Sequence, residues 1–360
     1  MAFEIIGTGR AIPPKRVSND DLAAKIDTSD EWIRSHTGIG SRHLADDDTT
    51  TSDLALEAAK NALAFVAGYT GTELLERDWP LERDWLLERD KAAADVVGSI
   101  DLILLGSVTP DYFGTPSTAC IVQHKLGAKN AAAMDIVTAC TGFIYGLETA
   151  AGFLSLGRGR KRVLVIGAEV LSRAVDWDNR ATCVLFGDGA GAAVIELTDA
   201  PCEGPGRRGL VRTILKADGS GSESLLLRRG GSRSPFKKGE VIDKGIYIEM
   251  NGQEVYNFAV KAVTDTVEDL MQAEGVGADD IAWIIPHQAN ARIVQAARRR
   301  LKFPAEKIYM NIEEYANTSA ASIPIALDEL NREGKLNKGD MILTVGFGGG
   351  LTYGGNIIIW

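Results

Sequence analysis

Residues 134–147 read MDIVTACTGFIYGL: a short β-branched run, a cysteine between threonines, then a segment apolar nearly all round. The first part has strand composition and the last has helix composition, so Cys140 is predicted on a strand-to-helix turn. A helix apolar on every side is buried on every side, so residues 141–156 are expected at the centre of the molecule. The sulfur is then expected near a helix N-terminus, where unpaired N–H groups favour a thiolate and lower the thiol pKa. A small buried cysteine is the commoner fate of a free Cys, and this segment alone leaves both readings open.

Working outward, the same alternation recurs. Continuous apolar runs at 101–107, 134–138, 162–168, 191–197, 281–286, 341–346 and 356–360 suit strands buried on both faces, and MAFEIIGTG at the N-terminus reads as another strand. Helical patterns occupy 52–66, 141–156, 255–275 and 291–301. Strands alternating with helices indicate a layered α/β protein. The segments FGDGAGAAVIE (186–196) and FGGGLTYGGNIII (347–359) share a Phe-Gly, glycine-rich turn and strand, each behind a long helix and an apolar strand. That repetition predicts two related halves, 1–199 with the cysteine and 200–360. An imperfect hexapeptide repeat, LERDWP-LERDWL-LERDK at 75–91, interrupts the first half as a charged surface insertion spanning about 70–95. Residues 218–245 form a second interruption, a Gly/Ser-rich loop carrying Arg228, Arg229, Arg233, Lys237, Lys238 and Lys244.

Composition narrows the function. A formal net charge of −10 argues against general nucleic-acid binding, and four cysteines in 360 residues are no disulfide scaffold. Neither the cysteines nor the four histidines have zinc-ligand spacing. No apolar run approaches the ~20 residues of a membrane helix, and the N-terminus does not read as a signal or transit peptide, so a cytoplasmic protein is expected.

Two further residues join Cys140. His287, in IIPHQANARI, follows a strand and precedes a helix, the place where sites collect in α/β sheets. Asn317, in YANTSAASIPIAL, also stands before a helix, where its amide is either a cap or a functional donor. Two neutral donors aimed at one carbonyl oxygen stabilise an enolate. That suits decarboxylation of a malonyl thioester whose carbanion attacks an acyl group held on the cysteine. Papain-like proteases share the Cys, His, Asn order, and the 147 residues between Cys140 and His287 fit their range. Their local pattern around the cysteine is missing here, as is a secretory signal.

The segments IIGTGRAIP (5–13), NDDLAAKIDTSDEWIRSHTGI (19–39), MDIVTACTGF (134–143), FGDGAGAAV (186–194), IPHQAN (285–290), NTSAASIPIALDE (317–329) and GFGGGLTYGG (346–355) occur in this order along the chain. Together they resemble the ketoacyl-ACP synthase III family of initiating condensing enzymes. The resemblance implies a thiolase-like fold, two duplicated halves in five αβαβα layers, and a homodimer whose pocket borrows a residue from the neighbouring subunit, with the Thr115 segment as lender. It implies an acyl-CoA primer, malonyl-ACP as second substrate, and no metal, flavin or nicotinamide cofactor. Cys140 matches the acylated nucleophile, His287 and Asn317 the pair that polarises the malonyl thioester, and the N–H groups of Cys140 and Gly350 the oxyanion hole. Trp32 and Arg180 match residues on the two faces of the coenzyme A adenine, a cation–π arrangement. Gly252 and Asn290 match positions along the pantetheine tunnel. Arg292, Arg299 and Arg300 match basic residues that meet the acidic carrier protein.

The sequence departs from the family at three places. His36 stands where Arg is common near the nucleotide, giving a pH-dependent contact. Asn257 replaces a basic residue facing the carrier protein, with Lys261 one turn later. Thr115 occupies a position where some members carry a Phe that restricts the acyl pocket; a threonine leaves room for longer or branched primers unless residues such as Phe186 close it. Alternatives on the same scaffold are a type III polyketide synthase, disfavoured by GFGGGLT, a head-to-head acyl condensing enzyme, a synthase specialised for secondary metabolism or dicarboxylic primers, and a non-catalytic acyl-CoA- or ACP-binding protein.

Overall fold

The computed structural model describes residues 1–69, 91–242 and 245–360. The hexapeptide repeat therefore lies outside the described residues apart from its last one, Lys91, as does Lys244 of the basic loop. The chain is helical again over Lys91–Gly98, where Val96 and Val97 are buried, so the proposed insertion ends inside a packed helix.

Thirteen strands are described: β1 (Ala2–Ala11), β2 (Lys15–Ser18), β3 (Ser41–Leu44), β4 (Ile100–Gly106), β5 (Ala132–Ile136), β6 (Arg162–Glu169), β7 (Gly189–Thr198), β8 (Gly209–Ala217), β9 (Leu225–Leu227), β10 (Ile248–Met250), β11 (Trp283–Pro286), β12 (Met341–Gly348) and β13 (Thr352–Ile359). One sheet runs β1-β7-β6-β4-β5 and another β11-β12-β13-β8. Read from β8, the second sheet repeats the first four positions of the first. In both, the first two pairings are antiparallel and the next is parallel. Strand β8 and the helix Thr118–Leu126 escape the sequence patterns above, and β5 begins and ends two residues before the predicted run.

Side-chain alternation along the strands builds the layers. In the first sheet Ile103, Leu105, Leu164 and Ile166 face Leu54, Ala58 and Ala62 of the outer helix Thr51–Val66. Their neighbours Leu102, Leu104, Val163 and Val165 point the other way, onto Phe143, Ile144 and Leu147 of the helix Gly142–Ser155. That core also takes in Ile323, Ala326 and Leu327 of the helix Ser322–Arg332, with Ile342 and Ile358 of the second sheet. On that sheet's far side Leu343, Val345 and Ile357 pack on Val263 and Val267 of the helix Gly252–Glu274 and on Ile293 and Ala297 of the helix Ala291–Leu301. The order is helix, sheet, helix, sheet, helix, and both sheets are apolar on two faces.

Residues at the centre permit unusually close approach. A Cβ on Gly106 would lie 2.8 Å from Gly142 Cα, so β4 and the central helix meet backbone to backbone. Asp328, fully buried, accepts from Thr8 at 2.8 Å and pairs with Arg10 at 2.9 Å and Arg332 at 3.0 Å, tying the second central helix to β1. No helix among the described residues is long and apolar enough to cross a membrane.

Candidate active site

Strand β5 stops at Ile136, and a short 3-10 turn, Ala139–Thr141, carries Cys140 to the start of the central helix. The turn is strained: Ala139 has φ +48°, in the left-handed region that non-glycine residues avoid. It is held by Thr141 Oγ1, which donates to Thr138 O at 2.7 Å, and by Thr352 Oγ1, which donates to the same carbonyl at 2.9 Å. The glycine-rich turn after β12 lies directly over the nucleophile. A Cβ on Gly348 would fall 2.6 Å from Cys140 N, a contact that only glycine avoids.

The expected depression of the thiol pKa is not what this environment gives. Cys140 is buried, and burial pushes its thiol up to about 12, outweighing the opposing effects of Ser319 and of its own N–H. The expectation rested on the helix end alone and omitted the dry wall around the sulfur.

His287 follows β11 and is buried. Burial draws its imidazole down to about 3, so the ring is neutral at working pH. Nδ1 lies 2.7 Å from Ser322 Oγ, which also receives the Gln288 N–H at 3.3 Å. Among the described residues the Ser322 hydroxyl has no other acceptor, so its proton goes to Nδ1 and the imidazole proton resides on Nε2. A neutral ring with Nε2–H is a donor.

Asn317 is held by a parallel bridge to Phe186, donating from N to Leu185 O at 3.0 Å. Its Oδ1 accepts the Ser319 N–H at 2.8 Å, a cap-like bond that leaves Nδ2 for the cavity. The segment is strained on both sides, with φ +57° at Ala316 and +49° at Ser319.

Cys140, His287, Asn317 and Gly350 all line one cavity of about 1260 Å³, as do Trp32, His36, Thr115, Arg180, Phe186, Gly252 and Asn290. Gly350 has φ +132°, a conformation essentially reserved for glycine, and among the described residues no turn or loop bond engages its N–H. Arg180 Cζ lies 4.7 Å from the Trp32 ring centroid, and the His36 ring stacks on Trp32 at 4.4 Å. Arg180 and Trp32 are thus in direct contact, so a base entering between them must part them. The His36 ring donates through Nδ1 to Trp32 O at 2.7 Å, which leaves Nε2 for a ligand. Asn290 caps the helix Ala291–Leu301 through Oδ1 and donates to His36 O at 3.2 Å, so its amide shapes the wall. Gly252 opens the long helix behind its cap, Asn251.

Arg292, Arg299 and Arg300 do not line the cavity; they are exposed along the helix Ala291–Leu301 beside it. Arg298 differs, donating to Phe303 O at 3.3 Å. In the basic loop Arg228 pairs with Glu249 at 2.8 Å and Arg229 with Glu240 at 2.6 Å, so two of its cations are internally neutralised. Among the described residues no group of three or more His, Cys, Asp and Glu is placed to hold a metal ion.

Sequence reasoning missed Ser319, Ser322, Thr352 and Glu169. The first two lie inside the quoted NTSAAS segment, and Glu169 is a lone acid closing the apolar run 162–168. Glu169 is fully buried, and such a residue signals an internal partner.

Residues 134–219 match the family described as 3-oxoacyl-[acyl-carrier-protein (ACP)] synthase III, and residues 271–360 match the description of its C-terminal part. A beta-ketoacyl-[acyl-carrier-protein] synthase III of Caldanaerobacter subterraneus is 46% identical over 361 residues, covering 100% of this chain and 98% of the relative. A protein of the same name from Clostridium perfringens is 46% identical over 355 residues, covering 99% and 98%. The crystal structure of 3-oxoacyl-[acyl-carrier-protein] synthase III from Aquifex aeolicus superposes with a TM-score of 0.82 at 39% identity, covering 100% of both chains. With the thiolase-like layers and the convergent cysteine, histidine and asparagine, this likeness along the whole length shows that the chain belongs to the 3-oxoacyl-ACP synthase III family.

Proposed function

We propose that the protein catalyses decarboxylating condensation of an acyl-CoA primer with malonyl-ACP, yielding 3-oxoacyl-ACP, coenzyme A and carbon dioxide, and so initiates fatty acid synthesis. The observation that carries this reading is the convergence of a buried thiol, a neutral imidazole donor and the carboxamide N–H donors of Asn317 on one cavity.

In the first stage Cys140 Sγ attacks the thioester carbon. The N–H groups of Cys140 and Gly350 receive the oxyanion, and coenzyme A leaves. Trp32, His36 and Arg180 hold the nucleotide at the mouth, and Gly252 and Asn290 flank the pantetheine arm. In the second stage malonyl-ACP enters the same tunnel, guided by Arg292, Arg299 and Arg300. His287 Nε2–H and Asn317 Nδ2–H bind the thioester oxygen. As the carboxylate departs as carbon dioxide, these donors stabilise the enolate, which attacks the acyl-cysteine. A neutral His287 suits this role, because it donates without bringing a cation that would hold the malonyl carboxylate in place. None of these steps calls on a metal, flavin or nicotinamide.

Thr115 and Phe186 bound the acyl end, and the threonine supports acceptance of primers longer than acetyl. Tyr112, Phe113, Met134 and Val137 form an exposed apolar rim around the same end, Val137 at 78% exposure, which supports a homodimer in which the Thr115 segment serves the neighbouring site. The repeated strand order supports a division into halves 1–199 and 200–360. A cytoplasmic location fits the substrates.

The test is product analysis with purified protein, an acyl-CoA and malonyl-ACP. Appearance of 3-oxoacyl-ACP and carbon dioxide, lost in Cys140→Ser with the fold intact, supports the reading. Unchanged synthesis in that variant refutes it.

A further inference from the structure

Among the described residues Arg42, on β3, is the largest side chain with no exposed surface, and it is a cation. Nη1 donates to Asn19 Oδ1 at 2.8 Å, Nη2 donates to Val184 O at 2.9 Å, and the buried Nε has no partner. Among the described residues no carboxylate pairs with it. A buried charge without a counter-ion and an unsatisfied buried donor are both costly, and an apolar side chain would fill the same space without either cost. The two bonds that the guanidinium does make are what set it apart from such a side chain.

The first bond leads to Asn317. Leu185 O, next along the chain from Val184, accepts the Asn317 N–H at 3.0 Å, and the Gly187 N–H donates to Asn317 O at 3.0 Å. Residues 185–187 therefore clamp the asparagine backbone on both sides, and Arg42 anchors the segment at one end. It also packs against the other end, where a Cβ on Gly187 would fall 3.2 Å from Arg42 Cβ. The clamp matters because φ is positive at both Ala316 and Ser319, and strained backbone persists only where its surroundings over-determine it. The neighbours of Arg42 on β3 hold the same region: Ser41 Oγ donates to Glu314 O at 3.0 Å, and the Asp188 N–H donates to His43 O at 2.9 Å.

The second bond fixes the guanidinium itself. Arginine only donates, so the Asn19 oxygen faces Arg42 and the Asn19 amide N–H groups face away from it. They donate to Asp30 Oδ1 and Ile39 O, both at 2.8 Å, so Asn19 is satisfied on three sides in a site that is 1% exposed. Asp30 opens the helix Asp30–Thr37, which carries Trp32 and His36. Arg42 is thus tied at one end to the helix at the cavity mouth and at the other to the backbone that carries Asn317.

We propose that Arg42 is a positioning residue for the condensation stage: anchored through Asn19, its guanidinium fixes the Val184 carbonyl and thereby the backbone pairing that aims Asn317 Nδ2 into the cavity. This rests on the reading of Asn317 as a donor to the enolate. Arg42 does not line the cavity and acts through Val184, which does. Its effect falls on discharge of the acyl-enzyme, the step that uses Asn317, rather than on its formation.

The experiment is a double-mutant cycle read by intact mass. The acyl-enzyme is formed from acetyl- or octanoyl-CoA, and its discharge by malonyl-ACP is followed in the wild type, Arg42→Met, Asn317→Ala and the double variant. Methionine fills much of the arginine's volume and removes its donors. The expected result is discharge slowed about 10- to 100-fold in Arg42→Met, with acylation near the wild-type rate. Adding Arg42→Met to Asn317→Ala should cost nothing further, because the donor being aimed is already gone. Wild-type discharge in Arg42→Met would overturn the role, and so would an equal loss in both backgrounds, which marks general distortion. Thermal melting checks each fold. If Arg42→Met does not fold, Asn19→Ala, which leaves Arg42 in place without its anchor, enters the same cycle with the same outcomes. A wild-type protein that forms no acyl-enzyme, or whose acyl-enzyme malonyl-ACP does not discharge, would overturn the proposed function instead.

Discussion

Ser322→Ala tests the argument that His287 works as a neutral donor. The serine hydroxyl lies 2.7 Å from Nδ1 and fixes the proton on Nε2, which faces the cavity. Alanine removes that donor and leaves the buried Nδ1 unpaired. Leaving a buried acceptor unsatisfied costs about 1–3 kcal/mol. The ring then recovers part of that cost by turning or by moving its proton to Nδ1, and either change withdraws the donor from the enolate. If about 1.4 kcal/mol of this is felt in the transition state, condensation slows about tenfold. The assay separates the stages: acyl transfer to Cys140 followed by mass, then discharge of the acyl-enzyme by malonyl-ACP. Discharge should fall about tenfold while acylation holds. Equal losses in both stages would mean general distortion, and unchanged discharge would refute the tautomer argument.

Other expectations follow from the same geometry. Thr115→Phe should depress initial rates with octanoyl-CoA far more than with acetyl-CoA; equal rates for the two primers in both proteins would show that Thr115 does not set pocket size. Arg299→Glu with Arg300→Glu should raise the KM for malonyl-ACP about tenfold or more in low salt, where exposed charges steer most strongly, with acylation by acyl-CoA unchanged. His287 also carries a pH signature. Its folded value is about 3 against an ordinary 6.5, so the unfolded chain binds the extra proton and stability falls as pH drops from 6.5 toward 3, by up to about 5 kcal/mol. Glu169 runs the opposite way, its raised carboxyl favouring the folded state below 4.5 and losing that advantage through about 7. Denaturant titrations of His287→Gln should therefore lose less stability on acidification than wild type.

Much of this was legible in the sequence because the fold relies on local rules. The all-round apolar pattern of residues 141–156 placed that helix between the sheets, where Phe143, Ile144 and Leu147 are buried. Strand β8 was harder to read, because GLVRTILKA is an edge strand with partly exposed residues and no clean alternation. The helix Thr118–Leu126 was missed because its short run has little apolar periodicity and follows a Gly/Pro/Ser turn.

The site was legible as motifs but not as chemistry. Cys140, His287 and Asn317 were each found on a strand or helix boundary, yet their protonation depends on what closes around them. The thiol is raised by burial, which no local pattern reports. Ser322 stands in a visible motif, but its partner His287 lies 35 residues away. Asn290, expected along the tunnel, lines the cavity while using its amide as a helix cap. Arg180 and Trp32, expected on opposite faces of a base, stack directly on each other.

The most direct test of the central claim is intact-mass spectrometry of the protein with a panel of acyl-CoAs, followed by malonyl-ACP. The account predicts an acyl-sized mass gain mapped to Cys140, then its loss as 3-oxoacyl-ACP appears. A protein that gains no acyl mass, or gains it at another residue and still condenses, would contradict the account.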